Sequence, residues 1–324
     1  MFATALNAAT LEELVSAAVA APSMHNTQPW RFRLRPETHT IEIRAAIERG
    51  LRAEDPDGRG LHISVGAAAF NLRLAVAHNG WEPVLRLLPA PHEPQLLASV
   101  RLAGRPQSGS AAEPDLYEQI WRRHSSRHPF SGRPLPPLLL AELVDAAQTE
   151  GARLRLPDAN EAHRLLALTR EGEIRTTTDQ ARREESRRWI RTPADTSYGI
   201  PPAALGPQDA LGHLPMRDFS ALRAPAYPPS LPFERHPQLA VLSTAHDRRA
   251  DWLRAGIALQ HVLLLATRAQ VRASMLYQPM EWPDLRWLLR DPRSGPEHVQ
   301  MLIRLGYGPE GPATPRASAT DSLG

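Results

Sequence analysis

The sharpest chemical signal in the sequence is Arg123-His-Ser-Ser-Arg127, followed by His-Pro-Phe130. In extended chain Arg123, Ser125 and Arg127 point the same way. Two guanidiniums and a hydroxyl converging on one spot suit a phosphate, because arginine presents a planar bidentate fork to anionic oxygens. On its own the pentapeptide fits a solvated arginine-rich loop equally well. A second candidate is Ala21-Pro-Ser-Met-His-Asn-Thr-Gln-Pro-Trp30. Its Ser23, Asn26, Thr27 and Gln28 can read the edge of a heterocycle, and Pro22 and Pro29 stiffen the segment. An ordinary capped turn manages with fewer polar residues.

What the chain lacks narrows the chemistry further. It has no cysteine, which excludes disulfides, thiolate metal sites and thiol nucleophiles. It has no lysine either, all 38 basic residues being arginine, so Schiff-base chemistry and a P-loop lysine are excluded. The thirteen histidines include His124 and His128, four apart, but prolines at 129 and 134 oppose the helix that would align them on a metal. They read as loop and packing histidines, His25 among them. HExxH, Gly-x-Ser-x-Gly and GxGxxG motifs are missing. A net charge of +3, with arginines spread along the chain, favours a small anionic ligand over nucleic acid. Apolar runs such as Val262–Ala266 are far too short to span a bilayer, and the start lacks the basic residues of a secretory signal. A cytoplasmic protein is expected.

The elements that must position these residues come in two sets. Thr10 and Glu13 suggest a capping box, with Leu11, Leu14, Val15, Ala18 and Val19 on one helical face. Trp30, Phe32 and Leu34 alternate with arginines as in a half-buried strand, and Ile41 and Ile43 suggest its hairpin partner. A helix from about Leu61 to Ala77 and a strand from Val84 to Leu88 follow. The pattern then returns. Glu13-Leu-Val-Ser-Ala-Ala18 is echoed by Glu142-Leu-Val-Asp-Ala-Ala147, and Arg31-Phe-Arg-Leu-Arg-Pro36 by Arg153-Leu-Arg-Leu-Pro157. Gly66-Ala-Ala-Ala69 is echoed by Gly256-Ile-Ala-Leu259, and Val84-Leu-Arg-Leu87 by Leu302-Ile-Arg-Leu305. Four echoes in one order point to an internal duplication. The expected organisation is a half at 1–103, a Gly, Pro, Ser and Ala-rich linker at 104–115, and a second half at 116–324.

Spacing shows where the halves diverge. The second has lost seven residues where the first carries Pro22–Gln28, and has gained about sixty before Gly256. That insertion contains a helical stretch near 161–191 and then ten prolines between Pro193 and Pro237, which regular structure does not tolerate. With Tyr198, Phe219, Tyr227 and Phe233 in it, the segment at about 192–237 reads as an ordered lid. The first half also has no room for a counterpart of Arg123. One half therefore offers the Pro-Ser loop and the other the arginine motif, enough for one complete site.

The Pro-Ser segment resembles the APS-x-x-N-x-QPW-x-F signature of nitroreductase-like flavoproteins, and Arg123-x-Ser-x-Arg127 resembles their phosphate-binding signature. The motif order, with Asp55-Pro-Asp-Gly-Arg59, Gly256-x-Ala-Leu-Gln260, Gln278-Pro-Met-Glu281 and Arg304-Leu-Gly-Tyr-Gly308, is similar to the Acg subfamily. The resemblance implies an α+β, nitroreductase-like fold in which two degenerate copies form a pseudo-dimer around one flavin mononucleotide (FMN). It implies that Arg123 and Ser125 hold the phosphate or ribityl chain. Arg127 would approach the pyrimidine edge, where reduced flavin gathers negative charge. Pro22, Ser23, Met24 and Asn26 would pack on the flavin from the other half, and Pro279, Met280 and Glu281 would lie near its N5. Arg316 would be a second phosphate-binding residue. The lysine that family members often place by the ring is absent here.

Two functions then stand open. One is an oxidoreductase taking hydride from NAD(P)H through FMN to a nitroaromatic, quinone or similar small aromatic acceptor, with no obligatory acid–base side chain. The other is an FMN-binding or sequestering protein whose lid keeps the flavin from turnover. No nucleic acid, membrane or metal is expected. Because the duplication supplies a pseudo-twofold interface internally, a monomer is expected ahead of a homodimer.

Overall fold

The computed structural model describes residues 6–104, 114–190, 197–219 and 230–324, apart from 292 and 294. The first half runs α1 (Ala8–Val19), β1 (Trp30–Arg35), β2 (Thr40–Ala45), α2 (Arg59–His78), β3 (Glu82–Leu87) and β4 (Leu96–Ala103). After α3 (Pro114–Arg122), which begins at the end of the expected linker, the second half runs α4 (Pro137–Thr149) and β5 (Arg153–Arg155). An insertion follows, with α5 (Ala159–Thr178), α6 (Gln180–Arg188) and the two-residue strands β6 (Gln208–Asp209) and β7 (Ser230–Leu231). The second half then resumes with β8 (Gln238–Thr244), α7 (Arg249–Arg268), β9 (Arg272–Leu276), α8 (Pro283–Leu288) and β10 (His298–Gly306), and α9 (Ala319–Ser322) closes the chain.

The two main sheets are antiparallel and have the same strand order, β1-β2-β4-β3 and β5-β8-β10-β9. Alternation in β1 works as the sequence suggests: Trp30 and Phe32 are sealed in the core while Arg31 and Arg33 face solvent. Topology corrects two expectations. The counterpart of β10 is β4, one strand later than the Val84–Leu87 echo proposed, because Val100-Arg-Leu102 and Ile303-Arg-Leu305 occupy the same sheet position. The N-cap of α1 is Asn7, whose side chain accepts the amide of Thr10 at 2.8 Å, in place of a Thr10–Glu13 box.

The halves meet where α2 crosses α7, and glycine makes that crossing possible. A Cβ on Gly66 would sit 2.1 Å from the Leu253 carbonyl oxygen, and one on Gly256 would sit 2.0 Å from that of Ile63. The two helices thus touch backbone to backbone. One turn along, the Gln260 side-chain amide donates to Asn71 Oδ1 at 2.8 Å, and Asn71 Nδ2 donates to the Ala17 carbonyl at 2.9 Å. Both amides are fully buried, and the pairing satisfies both groups of Asn71 and the Gln260 nitrogen, while Gln260 Oε1 has no partner among the described residues. By length and composition α2 could cross a membrane, but here it is the buried core helix.

Between α1 and β1 lie ten residues, against three between α4 and β5. The second half therefore has a tight turn where the first has a loop. Glu150 in that turn is fixed by Arg73 of α2 and by His261 of α7, the latter at 3.1 Å.

Gly66→Ala and Gly256→Ala should each destabilise the protein by about 1–3 kcal/mol or more, the range of an overpacked core. The double variant should cost less than the sum, because one substitution already forces the same helix pair apart. Urea denaturation of the three variants checks both statements.

Candidate functional site

The Pro-Ser loop is held in an uncommon shape. His25, Asn26 and Gln28 all have left-handed backbone, with φ of +50°, +55° and +48°, which non-glycine residues adopt rarely. Tertiary contacts fix it. Ser23 Oγ accepts the Gln28 amide at 2.9 Å. Asn26 Nδ2 donates to the carbonyls of Gly199 and Pro315, both at 2.9 Å, and its Oδ1 accepts from Arg316 at 2.9 Å. Gln28 Nε2 donates to the Ser197 carbonyl at 2.6 Å, while its Oε1 accepts the amide of Ala317 at 3.0 Å. The insertion and the C-terminal segment, both from the second half, therefore clamp a loop of the first. The C-terminal segment then runs alongside β1, with the Gly324 amide donating to the Phe32 carbonyl at 2.9 Å.

The arginine motif leaves α3 and lies along β9, where the Ser126 amide donates to the Ala273 carbonyl at 2.9 Å. The glycines of Arg304-Leu-Gly-Tyr-Gly308 are explained here, since a Cβ on either would meet the Phe130 ring at 2.8 Å. Asp55 caps α2 through the amides of Gly60 and Leu61, both at 2.8 Å, and Arg59 reaches the Met280 carbonyl at 2.7 Å.

Between loop and motif opens a cavity with about 810 Å³ of empty space, part of which is open solvent. Pro22, Ser23 and Met24 line one side, with Gly60 and Ser64 of α2. Ser125 and Arg127 line the other, with Ser274 and Met275 of β9 and then Tyr277 and Gln278. Five of the residues expected at the site thus share one cavity. Asn26 is buried behind the loop as its tether. Pro279, Met280 and Glu281 sit in the 3-10 turn just past Gln278, outside the lining.

Arg123 is buried and Arg316 half-buried, both outside the cavity lining, and they are close enough for one charge to act on the other. Burial lowers Arg123 to about 10, and burial together with the Arg123 charge lowers Arg316 to about 9. Each has an Nε without a hydrogen-bond partner, and neither meets a carboxylate among the described residues. Two such cations without counter-charge are costly. They fit a doubly charged oxyanion placed between them.

The insertion forms the remaining wall. Arg217 and Phe219 line the cavity, and the Arg127 guanidinium lies 5.1 Å from the Phe219 ring centre. Arg217 is shared by three carboxylates: Glu54 at 3.3 Å, Glu173 at 3.5 Å and Glu281, which it grips most closely. Arg182 of α6 stands 3.6 Å from Glu281, and Ser186 donates to Glu54 at 2.6 Å. Burial pushes Glu281 up to about 8, against the pull of Arg217. Burial also acts to raise Glu54, but the charges of His25 and Arg217 outweigh it and hold Glu54 at about 2. The helical stretch expected near 161–191 is α5 and α6, while the described part of the proline-rich segment at 192–237 is coil with a 3-10 turn and the strands β6 and β7, Arg49 lying 4.4 Å over Tyr198; Tyr227 lies outside the described residues. His25, Arg217 and Tyr277 escaped the sequence reading because their partners are remote in the chain. Among the described residues no cluster suits a metal.

No family model matches the chain. The Mycobacterium tuberculosis protein named "Putative NAD(P)H nitroreductase Rv3131" is 30% identical over 315 residues, 96% of this chain and 90% of its own length. The protein of that organism named "Putative NAD(P)H nitroreductase acg" is 30% identical over 313 residues, 94% and 92% of the two chains. A solved structure titled as a putative nitroreductase from Anabaena variabilis is 14% identical with a TM-score of 0.44, covering 93% of this chain and 73% of that one. An FMN-bound nitroreductase from Bacteroides fragilis is 16% identical with a TM-score of 0.36, covering 62% and 92%.

Glu54 gives a pH prediction. Its folded-state value lies below the ordinary 4.5, so it stabilises the fold above that pH, and the contribution is lost as pH falls from about 4.5 towards 2. Glu54→Gln should flatten that part of an acid-unfolding curve. At neutral pH it should cost about 3–5 kcal/mol, because the buried His25 is left without its carboxylate.

Proposed function

The chain belongs to the nitroreductase family, in its Acg-like branch, and from that membership we propose an FMN-dependent oxidoreductase that uses NAD(P)H to reduce a small aromatic acceptor such as a quinone or nitroaromatic. The observation that carries the FMN assignment is the Arg123–Arg316 pair, a buried and a half-buried arginine, each with a buried Nε that has no partner and neither facing a carboxylate among the described residues. A flavin phosphate would supply the missing charge. Arg123, Arg316 and Ser125 would hold the phosphate and ribityl chain. Arg127 would face the pyrimidine edge, and Pro22, Ser23 and Met24 would pack on the ring from the first half. Bound FMN supplies hydride acceptance and donation; the side chains bind and orient it and tune its charge. The one-site arithmetic follows from the three-residue turn between α4 and β5, which has no counterpart of the Pro-Ser loop. We read the chain accordingly as two copies of one unit around a single flavin, acting as a monomer.

A second reading has its own observation. Arg217 and Phe219 of the insertion stand in the cavity wall, and Arg217 is anchored by three carboxylates. A wall so anchored restricts entry of a nicotinamide, as a flavin-sequestering protein requires.

Anaerobic mixing with NADPH separates the two. The FMN-loaded protein should bleach within seconds as a reductase; bleaching by dithionite alone supports sequestration. Arg123→Met should weaken FMN binding by about 2–5 kcal/mol, roughly 30-fold to several thousand-fold. The same change should stabilise the FMN-free protein, because it removes an uncompensated buried charge. A variant that keeps wild-type affinity would contradict the phosphate assignment.

A further inference from the structure

A cavity-lining histidine is paired with a buried carboxylate behind it. His25 Nε2 lies 2.5 Å from Glu54 Oε2, with side-chain exposures of 5% and 0%. The imidazole lines the cavity, and its other ring nitrogen has no partner among the described residues. Every element around it restrains it. Its own backbone is left-handed, and Phe219 of the insertion packs edge-on with ring centres 5.4 Å apart. Glu54 is fixed in turn: Ser186 of α6 holds Oε1 at 2.6 Å and Arg217 holds Oε2 at 3.3 Å. The amides of Arg52, Ala53 and Glu54 are tied to Glu185 at 2.7–2.9 Å. The charged groups around the ring are therefore Glu54 against Nε2, Arg217 behind Glu54, and Arg127 across Phe219, with Glu173 and Glu281 reached only through Arg217. A cavity-lining histidine oriented by a buried carboxylate, with its second ring nitrogen unpartnered among the described residues, is an arrangement that suits proton transfer to a bound molecule. A packing histidine would not require four segments to hold it.

We propose that His25, oriented by Glu54, is the catalytic acid of this cavity and gives a proton to the oxygen of a carbonyl-class acceptor such as a quinone. The proposal rests on the FMN reading above. In the step, the acceptor receives a hydride with its electron pair from reduced flavin, which is left oxidised. The imidazolium N–H bond breaks, an O–H bond forms on the acceptor, and the neutral imidazole regains its proton from solvent. Glu54 is a positioning residue that also stabilises the imidazolium.

The test uses the full FMN-loaded chain, photoreduced without oxygen and mixed with either menadione, which needs a proton, or ferricyanide, which takes electrons alone. In the wild type the menadione rate should fall with rising pH along one ionisation, because the donor is the protonated form, while the ferricyanide rate should not follow it. His25→Gln should lower the menadione rate about 100-fold or more relative to ferricyanide and abolish that pH dependence. A readout independent of turnover is the imidazole spectrum of the oxidised protein carrying nitrogen-15 histidine. The resonance missing from His25→Gln should shift when the redox-inert phenol 2-naphthol is added. If that variant fails to fold, the wild-type pH comparison decides alone. Equal pH dependence for both oxidants, an unchanged rate ratio in His25→Gln, or no reaction of the reduced protein with menadione overturns the proposal and leaves FMN binding standing. Failure to bind FMN overturns both.

Discussion

Everything in this molecule depends on the backbone contact between Gly66 and Gly256. Only there can α2 and α7 approach until a carbonyl oxygen of each occupies the place a Cβ would take on the other. That closeness sets the distance between the two sheets. It also lets Gln260 reach Asn71 and brings the Pro-Ser loop of one half opposite the arginine motif of the other. A wider crossing would open the cavity and separate its walls. The glycines lower helix propensity by about 1 kcal/mol each, and dense packing on both sides offsets that.

Charge is distributed around the cavity in two contrasting ways. Behind the arginine motif, buried Arg123 and half-buried Arg316 face no carboxylate among the described residues. In the cavity wall, Arg217 has more acid around it than it can neutralise, with Glu54, Glu173 and Glu281 converging on one guanidinium. This second cluster joins α5, α6, the coil after β6, and both halves. It fixes the insertion as a wall of the site. Arg217, which lines the cavity, also holds the carboxylate paired with His25.

Much of the architecture was legible because it rests on local patterns. Alternation gave β1, apolar spacing gave α1 and α2, and the echoes paired Gly66 with Gly256, which proved to be the residues in contact. The echo of Val84–Leu87 slipped by one strand because apolar-Arg-apolar triplets recur in adjacent strands, and only hydrogen bonding shows which strand holds the central position. Pro22, Ser23, Met24, Ser125 and Arg127, drawn from the two motifs, line one cavity, while Arg123 and Asn26 lie outside its lining. Asn26 and Gln28 looked like ligand-reading amides, yet they hold backbone groups of the insertion and C-terminal segment, contacts 169–290 residues apart that no local pattern encodes. The His25–Glu54–Arg217 chain was invisible for the same reason.

The central claim is that two unlike halves build one flavin site. Native mass spectrometry of the protein titrated with FMN tests it most directly. One FMN per chain at saturation, on a protein that remains a single chain, is the result this account predicts. Two FMN per chain, or one FMN shared by two chains, would contradict it.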